Sequence, residues 1–125
     1  MQRRLIGWGA VLGMLSVAIG AFGSHILKPV ISADYLKVYE TGVQYHMFHA
    51  LALILIGLTA GQWGESNRLR WSGRLIGAGI ILFSGSLYVL SISGIKILGA
   101  ITPLGGVCFI AGWICFALEA FKRKN

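Results

Sequence analysis

Apolar residues are grouped along this chain in four long runs that are separated by short polar stretches. Each run is close to the roughly 20 residues that an α-helix needs to cross about 30 Å of hydrocarbon. The first run ends before Lys28-Pro29, because proline disfavours helical geometry in the residue before it. The pattern predicts four transmembrane helices, at residues 5–27, 45–61, 75–92 and 103–121.

The connection between the first and second runs is amphipathic. Ser32 is a suitable helix cap, and Asp34 in the first turn complements the helix dipole. Apolar residues up to Gly42 lie on one side of this segment, and Asp34, Lys37 and Glu40 lie on the other. The pattern predicts a short amphipathic helix at residues 32–42 in the outer membrane interface. The alternative is that these residues begin one long helix that continues through the second run.

The connection between the third and fourth runs, Ser93 to Thr102, is unusually apolar for a loop. Irregular backbone at membrane depth must be covered by protein. We therefore expect this connection to fold back on the bundle or to dip into the membrane.

Composition supports a membrane protein. Hydrophobic residues make up 56% of the 125 residues and charged residues 12%, which leaves too few charges for the surface of a soluble domain. The net charge of +7 is not spread over one surface but lies in short runs between apolar segments, which argues against nucleic acid as a partner. The sequence predicts a single-domain, all-α integral membrane protein, a four-helix bundle whose partners include membrane lipids.

The positive charges also indicate an orientation. One side of the predicted bundle carries eight of the eleven basic residues: Arg3, Arg4, Arg68, Arg70, Arg74, Lys122, Arg123 and Lys124. The other side carries Lys28, Lys37 and Lys96. Because positive charge favours the cytoplasmic side, both termini and the middle loop are predicted to be cytoplasmic.

Small residues in the first and third runs recur at helical spacing. The glycines concerned are Gly9, Gly13, Gly20, Gly23, Gly73, Gly77 and Gly85. Small residues let helix backbones approach closely in lipid, so these positions are predicted to pack helices within one chain or between copies in a homo-oligomer. The alternative is that glycine lines a pore or a lipid groove.

Polar residues that could bind a ligand are concentrated in the predicted outer half. This candidate polar site comprises His25, Glu40, Tyr45, His49, Ser84, Ser86, Tyr88 and Thr102. Three histidines, His25, His46 and His49, are weak candidates for metal ligands, since zinc accepts three histidines and a fourth ligand. The competing interpretation is that each histidine bonds a neighbouring helix or headgroup, and no metal or other cofactor is predicted.

One carboxylate, Glu119, lies inside a predicted helix. An ion pair with Lys122 or Arg123, three and four residues later, explains it, and a role in coupled transport is the alternative. The sequence contains no nucleophile–base pair, phosphate-binding loop or paired carboxylates, so no enzymatic activity is predicted.

Four segments in this order resemble a known family. They are Gly20-Ala21-Phe22-Gly23-Ser24-His25, Thr41-Gly42 with Tyr45 and His49, Phe83-Ser84-Gly85-Ser86-Leu87-Tyr88, and Thr102-Pro103-Leu104-Gly105-Gly106-Val107. The chain resembles the YgdD/YwdK family of small bacterial inner-membrane proteins, which implies a four-helix protein of unknown function in the inner (plasma) membrane. His25 and His49 lie on motif positions of that family, and His46 does not.

Three functions are compatible with these features. The first is a non-enzymatic accessory or scaffold protein. The second is a small oligomeric channel or transporter with a polar site in its outer half. The third is an intramembrane metal-binding protein or enzyme.

Overall fold

The computed structural model describes residues 1–122, which contain helices and no strands. The five α-helices are α1 (Gln2–Phe22), α2 (Ala33–Trp63), α3 (Asn67–Gly79), α4 (Gly85–Ser93) and α5 (Thr102–Lys122). A π-helical segment, Gly23–Leu27, extends α1, and a second one, Ile80–Ser84, joins α3 to α4 into one continuous span. Four helical segments are therefore long and apolar enough to cross a membrane, which confirms the all-α, four-span prediction.

The amphipathic segment before the second span is not a separate helix. Residues 33–42 form the first turns of the 31-residue helix α2, so the prediction of an independent interfacial helix at residues 32–42 is wrong and its alternative holds. The predicted cap is present: the Ser32 hydroxyl accepts a hydrogen bond from the Tyr35 backbone N–H at 3.2 Å. Nothing between Ser32 and Tyr45 interrupts the helical hydrogen bonds, because that stretch contains no proline and its one glycine, Gly42, is buried against α4.

Helix α2 is central to the bundle. It packs against α1 on one side and against α3 and α4 on the other, and α5 packs mainly against α3 and the Ile80–Ser84 segment. The hydrophobic core consists of Ala52, Leu53, Ile56, Ala60, Leu69, Ile76, Ile80 and Phe109. Only Gly9 and Ser16 of α1 are buried, so most of this helix faces the surroundings of the bundle.

Four of the seven predicted packing glycines do pack helices. A methyl group added to Gly9 would lie 2.9 Å from the Ala50 carbonyl oxygen, and similar additions at Gly20, Gly23 and Gly73 would meet Val43, Tyr39 and Leu5. Gly13, Gly77 and Gly85, by contrast, have open space where a side chain would lie, so the prediction of packing within the chain is wrong for them. The reason is that helical spacing sets the face of a residue but not the distance to the opposing helix.

Six glycines that the spacing rule did not select also lie at close contacts between helices. They are Gly42, Gly57, Gly61, Gly79, Gly105 and Gly112. At Gly105 the opposing group is the backbone of Phe83, whose Cα lies 2.7 Å from the position of an added methyl group. The Ile80–Ser84 segment and the start of α5 therefore approach each other with backbone against backbone.

The apolar connection between the last two spans forms a short 3₁₀-helix, Lys96–Ala100. None of its residues is buried, and Ile97 is 76% exposed. The expectation that this connection folds back on the bundle is therefore wrong, whereas its alternative, that the connection dips into the membrane, stays a prediction. Ile95 and Ile97 are exposed, and Leu98 is half-buried.

Candidate functional site

The polar residues predicted to form one outer site are distributed over separate places. His25, on the π-helical extension of α1, and Glu40 and Tyr45 on α2 are exposed. His49, Ser84 and Ser86 are buried. The structure thus brings together pairs of the predicted residues rather than all eight.

His49 bonds α2 to α5. Its Nδ1 lies 2.8 Å from the Tyr45 carbonyl oxygen, and the Trp113 indole N–H donates to its Nε2 at 3.0 Å. A carbonyl oxygen can only accept, so Nδ1 carries the proton and Nε2 is the acceptor. The ring is also stacked on Phe109, with centroids 3.6 Å apart and planes 12° apart. Because both ring nitrogens are used, His49 has no lone pair left to bind a metal ion or solute.

His46 faces a different helix from His49. Its Nδ1 lies 2.8 Å from the hydroxyl oxygen of Tyr88 on α4. Tyr88 in turn contacts the ring of Tyr39, whose hydroxyl donates to the carbonyl oxygen of Ile19 on α1 at 2.6 Å. His46 Nε2 is buried and is the only such side-chain atom in residues 1–122 without a hydrogen-bond partner.

The hydroxyl groups of the predicted site also join helices. Ser84 donates to the carbonyl oxygen of Gly42 at 2.7 Å, and Ser86 and Thr102 lie 2.6 Å apart between α4 and α5. Ser86 also donates to the carbonyl oxygen of Phe83 in the preceding turn. These groups are therefore paired within the protein.

Glu119 is buried at the opposite end of the bundle, at 3% exposure. It accepts a hydrogen bond from Ser66 at 2.6 Å, and the Arg68 guanidinium lies 3.9 Å away. The sequence predicted a pair with Lys122 or Arg123, of which Arg123 lies outside the described residues. The partners found here are Ser66, in the α2–α3 connection, and Arg68, in the first turn of α3, so this carboxylate fixes the start of α3 to the end of α5.

The histidines do not form a metal centre in the described chain. Within residues 1–122, no three histidine, cysteine or acidic side chains are placed where they could share a metal ion. His25 lies apart from His46 and His49, and those two face different helices. The structure thus does not assemble the three-histidine site that was considered from the sequence.

Several residues that complete these contacts were not selected from the sequence as site residues. Trp113, Phe109 and Ser66 complete the surroundings of His49 and Glu119, and Ser72 donates to the Gly112 carbonyl oxygen at 2.7 Å. A signal was available for Trp113, since an indole N–H within an apolar helix needs an acceptor. No comparable signal identified Ser66 or Ser72, because serine is common both in loops and at helix interfaces.

Two open grooves lie beside the outer polar residues. One, of about 730 Å³, lies between α1 and α2 and includes Lys28, Tyr39, Glu40 and Gln44. The other, of about 620 Å³, lies between α2 and α5 beside the His49–Trp113 pair. Each groove lies between two spans, and His25 lines neither of them.

Comparison with known proteins agrees with the architecture. Residues 19–106 match the family model described as "Protein of unknown function (DUF423)". The UPF0382 membrane protein YwdK of Bacillus subtilis (strain 168) is 51% identical over 114 residues, covering 91% of this chain and 93% of that protein. The UPF0382 membrane protein SAB0533 of Staphylococcus aureus (strain bovine RF122 / ET3-1) is also 51% identical, with 91% and 92% covered.

A third relative, the UPF0382 membrane protein SH2409 of Staphylococcus haemolyticus (strain JCSC1435), is 47% identical over 91% of this chain and 92% of its own length. No solved structure matches the chain significantly. The family resemblance inferred from the motifs is thereby confirmed. With its four membrane-spanning helices and its matches over nearly the whole length, the chain belongs to the DUF423 family of UPF0382 membrane proteins, whose function is unknown.

Proposed function

We propose that this protein is a non-enzymatic accessory or scaffold protein of the bacterial inner membrane. The observation that carries the proposal is that its interior polar groups form hydrogen bonds between helices. Within residues 1–122, six hydrogen bonds join different spans: Tyr39 to Ile19, Ser84 to Gly42, His46 to Tyr88, Trp113 to His49, Ser72 to Gly112, and Ser86 with Thr102. Polar groups that bond neighbouring helices stabilise a bundle in lipid and are not free to bind a substrate.

The second candidate, a channel or transporter, is favoured by one specific observation. His46 Nε2 is buried without a hydrogen-bond partner among the described residues, and intramembrane histidines are common in proton and solute pathways. Its other nitrogen is bonded to Tyr88, however, and the residues that line the two grooves beside the candidate polar site do not reach the end of the bundle that carries Glu119. We therefore place the accessory role first.

Flux measurements separate the two functions. Proteoliposomes containing the wild-type protein should show proton and solute flux equal to that of empty liposomes, because the interior polar groups of residues 1–122 mostly bond neighbouring helices. His46→Asn and His49→Ala should give the same background. A wild-type flux above background that either substitution abolishes would overturn the accessory role in favour of transport.

We propose that both termini face the cytoplasm. Met1 and Glu65 form an ion pair at 3.3 Å, and Ser66 bonds Glu119, so the N-terminus, the α2–α3 connection and the end of α5 share one end of the bundle. That end carries the arginine-rich segments, which supports a cytoplasmic location.

Reporter fusions test this orientation. Green fluorescent protein fused after residue 125 should fluoresce, and alkaline phosphatase fused there should be inactive, because phosphatase folds only outside the cytoplasm. Fusions after residue 94, at the opposite end, should give the reverse pattern. Active phosphatase at the C-terminus would contradict the proposed orientation.

Membrane lipids are the partners that we propose first. The most exposed apolar side chains include Phe121, Ile97 and Val17, which suits a surface in contact with acyl chains. A homo-oligomer is also proposed, since the open glycines Gly13 and Gly85 leave room for a helix of a second copy. Nucleic acid is not among the proposed partners.

A further inference from the structure

A third groove lies at the arginine-rich end of the bundle, between α1 and α3. Its volume is about 560 Å³, and its floor includes Leu53 of α2. The mouth is lined by Arg4, Arg70 and Arg74 together with Glu65. Farther from this end, the walls are apolar and include Trp8, Leu12, Gly77 and Ile81.

The charges at the mouth of this groove are incompletely balanced. Arg70 is engaged, since it lies 3.5 Å from Glu65 and donates to Asn67 at 3.0 Å. Arg4 and Arg74 form no ion pair with a carboxylate of residues 1–122, and Arg74 instead lies over the ring of Trp71 at 5.2 Å. Arg4 and Arg74 thus remain available to an anion.

The apolar part of the groove is open because of Gly77. A side chain built at this position would meet nothing within 4 Å, whereas Gly73, one turn away, is closed by Leu5. The groove therefore combines cationic groups at one end of the bundle with an unfilled apolar channel farther along the transmembrane helices. Basic pockets between transmembrane helices at the cytoplasmic interface are typical binding sites for anionic lipid headgroups.

We infer that the groove between α1 and α3 binds one anionic phospholipid, with its phosphate between Arg4 and Arg74 and an acyl chain along Gly77. Charge complementarity selects an anionic over a zwitterionic lipid, and the apolar wall selects a lipid over a free anion. This inference does not depend on the accessory role. A transporter could contain the same site.

Native mass spectrometry of the full chain released from detergent tests the inference with defined lipids. The wild type should retain one phosphatidylglycerol about 25-fold more than phosphatidylcholine of the same acyl chains, since each of the two arginines near the anionic headgroup contributes roughly fivefold. Arg4→Gln combined with Arg74→Gln should reduce retention of phosphatidylglycerol to that of phosphatidylcholine. Arg3→Gln removes one positive charge from an exposed residue outside the groove and should change nothing.

The apolar part of the groove between α1 and α3 is tested by replacing glycine with leucine. Gly77→Leu fills open space and should abolish retention of both lipids, whereas Gly7→Leu, at an equally open glycine outside the groove, should preserve it. Equal retention of the two lipids by the wild type, or equal losses in Arg3→Gln and the double variant, would overturn the inference. So would displacement of phosphatidylglycerol by inorganic phosphate, or a lipid-free dimer that Gly77→Leu dissociates.

Discussion

Replacing Gly105 by alanine is expected to destabilise the bundle by about 3 kcal/mol, at the upper end of the usual cost of overpacking. The added methyl group would lie 2.7 Å from the Phe83 Cα, which belongs to the backbone of the Ile80–Ser84 segment. A flexible side chain could move aside, but a backbone held by helical hydrogen bonds cannot. Reversible unfolding by sodium dodecyl sulfate in mixed micelles, followed by circular dichroism, measures the change in the free energy of unfolding.

Gly106→Ala is the matched control for this prediction. The next residue along α5 has Phe83 Cδ2 at 3.9 Å from an added methyl group, an ordinary van der Waals contact. Both substitutions gain the same helix propensity, up to about 1 kcal/mol, so the difference between them isolates the steric term. Equal stability of the two variants would show that α5 does not approach the Ile80–Ser84 segment as described.

The four-span architecture follows from the sequence because lipid imposes a simple rule. Every backbone polar group in hydrocarbon must be bonded within its own helix, so long apolar runs have one structural solution. The sequence determined the start of α2 less well. An amphipathic segment bonds its backbone polar groups equally well as a separate helix in the interface or as part of a longer helix. The structure joins Ala33 to Trp63 in one helix.

The arrangement of side chains between helices was harder to predict. His46 and His49 are three residues apart, and at 3.6 residues per turn they differ in direction by about 60°. That difference is enough for His46 to bond Tyr88 on α4 while His49 bonds Trp113 on α5. Spacing along one helix identified the two residues as neighbours but contained no information about which helix each would face.

The glycine contacts between helices were also hard to predict from the sequence. The sequence spacing selected Gly77 and Gly85, which are open, and did not select Gly79 and Gly105, which are closed by Phe109 and Phe83. The π-helical segment Ile80–Ser84 adds to the difficulty, because a wider turn rotates the following residues relative to a regular helix. No residue pattern in the segment marks that widening.

Phe109→Ala is the second substitution with a large expected effect, a loss of about 2 kcal/mol in the free energy of unfolding. Phe109 is 4% exposed, stacks on His49 and covers Gly79, so its removal deprives both residues of their packing contacts. In water-soluble proteins the same substitution costs about 3–5 kcal/mol, part of which is transfer out of water. The cost of transfer out of water is absent in this protein, because the separated helices remain in lipid. The loss of packing contacts is the cost that remains.

The matched control for Phe109 is the same substitution at Phe121, on the same helix. Phe121 is 87% exposed, so truncating it exchanges contacts with lipid for other contacts with lipid and should leave stability unchanged. Phe109→Leu, which retains more of the side-chain volume, should fall between alanine and the wild type. Equal effects at positions 109 and 121 in the detergent unfolding assay would mean that packing against His49 does not stabilise the bundle. The graded series at position 109 therefore tests whether the aromatic contact between α2 and α5 holds these helices together.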